Sequence, residues 1–179
     1  MTPRRVMITG GMRSGKSRFA EGLLADEPHV TYIAPGPLPD PVADSEWAER
    51  IAGHRQRRSM SWTTVETTDI AGALRTGPPP FLIDCLGTWL TATIDRLGTW
   101  EQPLADWRQH ISAEMDQLLQ AWQTCSGPAV AVTNEVGWGL VSEHRSGRVF
   151  TDLLGRLNAR FAEASDTVYL VVAGRALRL

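Results

Sequence analysis

Gly10-Gly11-Met12-Arg13-Ser14-Gly15-Lys16-Ser17 decides the reading of this chain. The run fits G-x-x-x-x-G-K-[ST], a P-loop, whose glycines let successive backbone amides turn toward one anion. Its flanks agree with that use. Arg4 to Thr9 reads as a β-strand, and Gly15 to Leu24 as a helix with Phe19, Ala20, Leu23 and Leu24 on one face. The start of that helix adds its partial positive charge to the loop. Lys16, the only lysine in the chain, is placed to reach the β- and γ-phosphates of a nucleoside triphosphate, and the Ser17 hydroxyl to coordinate Mg2+. A glycine-rich turn that matches by chance is the competing reading; the strand before and the helix after weigh against it.

Outward from the loop, short β-rich runs alternate with longer helical stretches. His29–Ala34 reads as a second strand, followed by a loop carrying Pro35, Pro37, Pro39 and Pro41. A helix is predicted from Ser45 to about Arg58, a short strand over Trp62–Glu66 and a short helix over Asp69–Leu74, which the Gly77-Pro78-Pro79-Pro80 turn ends. Phe81–Cys85 is nearly continuous in apolar character, as in a strand buried on both faces. Helices are predicted over Trp89–Arg96 and Leu104–Thr124, a buried strand over Ala129–Thr133, a helix over Gly147–Ala164 and a closing strand over Thr167–Val172. The alternation predicts an α/β chain, a P-loop NTPase-like three-layer fold with a mostly parallel central sheet.

Composition narrows the function classes. The 179 residues have the size of one domain, 1–179, with 42% apolar and 21% charged residues. Eighteen basic against 20 acidic residues give a net charge of −2, without the basic excess that nucleic-acid binding leans on. The longest apolar run, Val168–Ala173, is far below the roughly 20 residues of a membrane span. The apolar stretch after Arg4 and Arg5 is too short for a secretory signal, and a cytoplasmic protein is expected. Cys85 and Cys125 lack metal-ligand spacing and read as plain thiols.

A P-loop enzyme needs a second acidic group for its metal. Asp84 ends the apolar strand Phe81-Leu82-Ile83 and would stand at the ligand edge of the sheet, though a strand-end aspartate can also cap the next helix. Thr133-Asn134-Glu135-Val136-Gly137-Trp138-Gly139 follows another strand to the same edge. Glu135 there suits a base or a metal-shell carboxylate, or simply a glycine-rich turn. Trp138, between two glycines, suits a flat ligand. On a helix, His54 shares a face with Arg50 and Arg58. A neutral imidazole between cations is a plausible nucleophile toward phosphorus, while an arginine-rich helix is also a common solvated face. His29 would open a strand, His110 lie on the polar side of a long helix and His144 stand near the ligand edge. Arg145, Arg148, Arg156 and Arg160 are candidate phosphate clamps or surface cations.

In order along the chain stand Thr9-Gly10-Gly11-Met12-Arg13-Ser14-Gly15-Lys16-Ser17-Arg18, Arg50-Ile51-x-x-His54-Arg55, Trp62-x-x-x-Glu66, Asp84-Cys85-Leu86, Thr133-Asn134-Glu135-Val136-Gly137, Gly155-Arg156-Leu157-Asn158 and Val171-Val172-Ala173-Gly174. Together they resemble the bifunctional adenosylcobinamide kinase / adenosylcobinamide-phosphate guanylyltransferase family of cobalamin biosynthesis. The resemblance implies two reactions. A γ-phosphoryl group passes from ATP or GTP to the hydroxyl of adenosylcobinamide, and GMP then passes from GTP through a guanylylated histidine to adenosylcobinamide phosphate. The nucleophile falls on His54. Gly10 to Ser17, Arg50, Arg55, Glu66, Asp84 and Glu135 are expected at the nucleotide, Lys16 and His54 in catalysis, and Ser17 and Asp84 on Mg2+. A homotrimer is also implied. Gly87, Trp138, Ser142 and Ser59 depart from the family's usual hydroxyl residue, methionine, proline and proline. The alternatives are a P-loop small-molecule kinase without guanylyl transfer and a non-enzymatic nucleotide switch.

Overall fold

In a computed structural model, residues 4–36 and 59–179 are described, with Ser45, Glu49 and Gly53 described as helical between them. The expected helix around Ser45–Arg58 therefore holds at three positions, while His54, Arg50, Arg55 and Arg58 lie outside the described residues.

The strands are β1 (Arg5–Gly10), β2 (Thr31–Ala34), β3 (Thr63–Glu66), β4 (Phe81–Asp84), β5 (Ala129–Val132), β6 (Thr167–Val172) and β7 (Arg175–Arg178). The helices are α1 (Lys16–Leu23), α2 (Ile70–Thr76), α3 (Leu86–Leu97), α4 (Leu104–Thr124) and α5 (Arg145–Glu163). One sheet takes the order β3-β2-β4-β5-β1-β6-β7, parallel throughout except for the β6–β7 pair.

The period-two pattern of the strands explains the layers. Met7, Ile33, Phe81, Ile83, Ala129 and Ala131 turn to one face, where they join a core with Leu74, Leu90, Trp107, Leu118, Trp122, Leu157 and Phe161 from α2, α3, α4 and α5. Their alternates Val6, Ile8, Tyr32, Leu82, Val130 and Val132 turn to the other, against Ala20 and Leu24 at α1. Each central strand is thus apolar on both sides, which is why it reads as a continuous run.

Register sets the site. Ile8 and Asp84 both stand opposite Val132, and Ala34 stands opposite Glu66. Gly10, Ala34, Glu66, Asp84 and Val132 therefore end their strands at one edge. The chain leaves β1 toward β2 on one side and returns through α5 to β6 on the other. That reversal opens a crevice beyond the carboxyl ends of the strands.

Several boundaries differ from the sequence reading. α3 begins at Leu86, ahead of Trp89, because the Thr88 hydroxyl accepts the Cys85 amide at 3.2 Å and starts the helix there. α5 begins at Arg145, ahead of Gly147, after His144, whose amide donates to Ser142 Oγ at 3.2 Å. Thr167–Val172 is not the closing strand. Ala173 and Gly174 turn the chain back into β7, whose exposed edge carries Arg175 and Arg178.

Asp166 ties the start of β1 to that of β6. Its Oδ2 accepts the amides of Arg5 at 2.7 Å and Arg4 at 3.0 Å. The Arg5 amide bond, with the nearby guanidinium of Arg5, holds this carboxyl below its usual value. The native carboxylate therefore stabilises the fold at pH above the unfolded value of about 3.9, and loses that contribution as pH falls through the depressed one. Asp166→Asn is expected to lower stability at neutral pH by about 0.5 kcal/mol, since solvent screens the group, and to match wild type once both are acidified past that point. Urea denaturation at the two pH values checks this.

Candidate functional site

The phosphate loop is shaped by its glycines and by β6–β7. Gly15 caps α1 with φ 96° and ψ 6°, in the left-handed region that side chains rarely adopt, and gives no side chain to the first amides of the helix. A Cβ on Gly10 would meet Val171 O at 2.4 Å, so only glycine lets the loop leave β1 there. The Gly174 amide donates to Ser14 O at 2.8 Å, and the loop closes on itself through Ser14 N to Gly11 O at 3.2 Å. The turn between β6 and β7 thus braces the loop, which gives Val171-Val172-Ala173-Gly174 a physical role. Lys16 is 5% exposed and donates from Nζ to Gly11 O at 3.1 Å. α1 packs across β1, β5, β4 and β6, so its first turn, with Ser17, lies over the strands that end at the site. Met12 stands out at the tip, 74% exposed.

Asp84 ends β4, where the chain passes through a cis Asp84–Cys85 peptide into α3. It does not cap that helix; Cys85 holds the N-cap position. Its Oδ2 instead accepts the hydroxyl of buried Tyr32 at 2.9 Å, across the neighbouring strand. Burial, and next the charge of Asp84, push the Cys85 thiol up, so it stays protonated. Ser17 and Asp84 offer the hard oxygen donors that Mg2+ takes, together with phosphate oxygens and waters. Among the described residues, no group of three or more His, Cys, Asp or Glu forms a metal cluster, so phosphates and waters would complete the shell.

β5 separates the loop strand from the Asp84 strand and delivers Glu135 between them. The Glu135 amide donates to Gly10 O at 3.0 Å, and its Oε2 accepts the Thr9 hydroxyl at 3.0 Å. Behind it the Thr133 hydroxyl donates to Asn158 Oδ1 at 2.7 Å, and Asn158 Nδ2 donates to Asn134 O at 2.9 Å. The Asn134 Oδ1 atom is buried without a hydrogen-bond partner among the described residues. Asn158→Leu leaves the Thr133 hydroxyl and the Asn134 carbonyl unsatisfied. It is expected to cost about 1–3 kcal/mol, read by urea denaturation, and to loosen the segment that carries Glu135.

The structure does not bring all candidates together. Gly10, Asp84 and Glu135 end or follow three neighbouring strands at one edge, where the phosphate loop begins. Glu66 is exposed at the same edge but on β3, four strands from β1, or about 19 Å at ordinary strand spacing. Arg145 donates to the carbonyls of Trp100 and Gln102, and Arg148 to those of Ser142 and Glu143. Arg156 pairs with Asp152, and Arg160 with Asp116. Arg145 and Arg148 are engaged by backbone carbonyls, while the pairs of Arg156 and Arg160 lie at the exposed surface. Trp138 is 75% exposed beyond Glu135, with Leu140 and Val141 also exposed. Tyr32, Thr9, Asn158 and Gly174 were not singled out for roles by sequence reasoning, although Thr9, Asn158 and Gly174 lie within the motifs quoted above.

Residues 6–179 match the family model described as cobinamide kinase / cobinamide phosphate guanyltransferase. The chain is 38% identical over 182 residues to the bifunctional adenosylcobalamin biosynthesis protein CobU of Salmonella typhimurium, covering 97% of this chain and 98% of that one. It is 36% identical over 175 residues to CobP of Pseudomonas aeruginosa, covering 95% and 94%. Among solved structures, an ATPase from a type III secretion system superposes with a TM-score of 0.52 at 14% identity, covering 98% of this chain and 56% of the other. That likeness speaks for the α/β P-loop fold alone. No helix among the described residues is long and apolar enough to cross a membrane.

Proposed function

Because the chain belongs to the cobinamide kinase / cobinamide phosphate guanyltransferase family, we propose that one domain carries out two successive transfers on a single corrinoid. In the first, the hydroxyl of adenosylcobinamide takes the γ-phosphoryl group of ATP or GTP, and the nucleoside diphosphate leaves. In the second, His54 attacks the α-phosphorus of GTP and releases pyrophosphate. The phosphate of adenosylcobinamide phosphate then takes the GMP from the histidine, giving adenosylcobinamide-GDP. Two displacements through a phosphoramidate replace one difficult step.

The observation that carries this reading is the braced loop around buried Lys16, opposite Asp84 at the strand edge, in a chain whose family match begins at residue 6. The loop amides, Arg13 and Lys16 would cradle the triphosphate. Ser17 and Asp84 would hold Mg2+, which when bound neutralises phosphate charge during transfer. Tyr32 fixes the Asp84 carboxylate for that task by its hydrogen bond. Glu66, at the far end of the edge, would meet the nucleotide only at a part distant from the phosphate loop, and Arg50 and Arg55 beside His54 would complement the anionic α-phosphate. A homotrimer in the cytoplasm, with the His54 segment near a P-loop, belongs to the same reading.

The test is direct. With adenosylcobinamide and a triphosphate labelled at the γ-phosphorus, label is expected in the corrinoid. With GTP labelled at the α-phosphorus, it is expected first on the protein and then in the corrinoid. A corrinoid that gains neither label refutes the proposal.

A further inference from the structure

Resting on that reading, we propose that Glu135 is the general base of the phosphoryl-transfer half, taking the proton from the substrate hydroxyl as it attacks the γ-phosphorus. Three features place it. Its amide bond to Gly10 O, 3.0 Å, sets its backbone beside the first residue of the phosphate loop. Its Oε2 is aimed by the hydroxyl of Thr9, a side chain only 4% exposed. The residues before it are pinned to α5 through Thr133, Asn134 and Asn158. The carboxylate is therefore fixed on both sides rather than carried on a free loop. The Thr9 bond occupies one of roughly four lone-pair sites, so the group keeps acceptor capacity for a second hydroxyl. Glu135 is half-buried, at the mouth of the crevice.

Asp84 is less suited to the task. The proposed function gives Asp84 to Mg2+, and a carboxylate committed to a cation would be a poor proton acceptor. The step balances without another reactant. The hydroxyl oxygen bonds to the γ-phosphorus, and the bond from that phosphorus to the β–γ bridging oxygen breaks. The nucleoside diphosphate leaves with the electron pair, and the hydroxyl proton passes to Glu135 and then to solvent. The guanylyl half needs no such base: a neutral imidazole attacks with its own lone pair, and the second acceptor is an ionised phosphate.

That difference supplies the experiment. In Glu135→Gln, the kcat of adenosylcobinamide phosphorylation is expected to fall by about 10²–10⁴-fold with the KM for the triphosphate little changed. Formation of the guanylylated protein from GTP is expected to fall far less than phosphorylation does, so the ratio of the two rates separates a lost base from a lost nucleotide contact. In Glu135→Ala, added formate is expected to restore part of the phosphorylation rate saturably, which a merely structural carboxylate would not permit. Phosphorylation within about threefold of wild type in Glu135→Gln overturns the proposal. An equal fall in both half-reactions, or Glu135→Ala unmoved by formate, overturns it as well. A wild-type protein that never phosphorylates the corrinoid instead sinks the functional reading on which the proposal rests.

Discussion

Lys16→Ala is expected to slow phosphoryl transfer to adenosylcobinamide by about 10²–10³-fold or more, the loss usual when one preorganised charge donor is removed from a transition state. No other lysine exists in the chain to take its place. On α5, Arg145 and Arg148 are engaged by backbone carbonyls, and Arg156 and Arg160 pair with carboxylates at the exposed surface. The ammonium is buried against its own loop, bonded to Gly11 O, so its charge acts where water screens little. Lys16→Arg is expected to fail as well, because a planar fork cannot replace a compact ammonium in that space. Steady-state rates at saturating triphosphate check both, and a Lys16→Ala rate near wild type would contradict the assignment.

His54→Ala separates the two halves. The variant is expected to phosphorylate adenosylcobinamide at close to the wild-type rate, to form no guanylylated protein at all, and to accumulate adenosylcobinamide phosphate. The loss is complete rather than partial because the bond itself is missing: without a ring nitrogen no phosphoramidate forms, and the two-step route has no first step. The measurement is product analysis of the corrinoid beside acid-labile label on the protein. Adenosylcobinamide-GDP formed by His54→Ala would remove the covalent step. A wild-type chain that stops at the phosphate would leave a small-molecule kinase with a structural histidine.

The sequence showed most plainly what is local. Gly10 to Ser17 is legible because glycine spacing and one lysine determine a turn within eight residues, and Asp84 is legible because an apolar strand ends on it. Tyr32 is not: in a strand it reads as one more apolar residue, and only the β2–β4 pairing puts its hydroxyl 2.9 Å from Asp84. Thr9 and Glu135 are 126 positions apart, and their contact exists because β5 comes to lie beside β1. β7 escaped because Arg-Ala-Leu-Arg carries no strand pattern. Its only signal is Gly174, whose φ of 76° makes the turn that braces the loop. Of the α5 arginines, Arg145 and Arg160 meet partners that only tertiary packing brings near, whereas Arg156 and Asp152 are neighbours on the helix itself.

The central claim is that the His54 imidazole and the anion cradle around Lys16 act on one and the same triphosphate. It is tested most directly by incubating wild-type and Lys16→Ala protein with GTP labelled at the α-phosphorus and locating the adduct by peptide mapping. The account predicts label on His54 in the wild type and almost none in Lys16→Ala, although that variant keeps its histidine. Label on another residue, or labelling of His54 in Lys16→Ala at the wild-type rate, would contradict it.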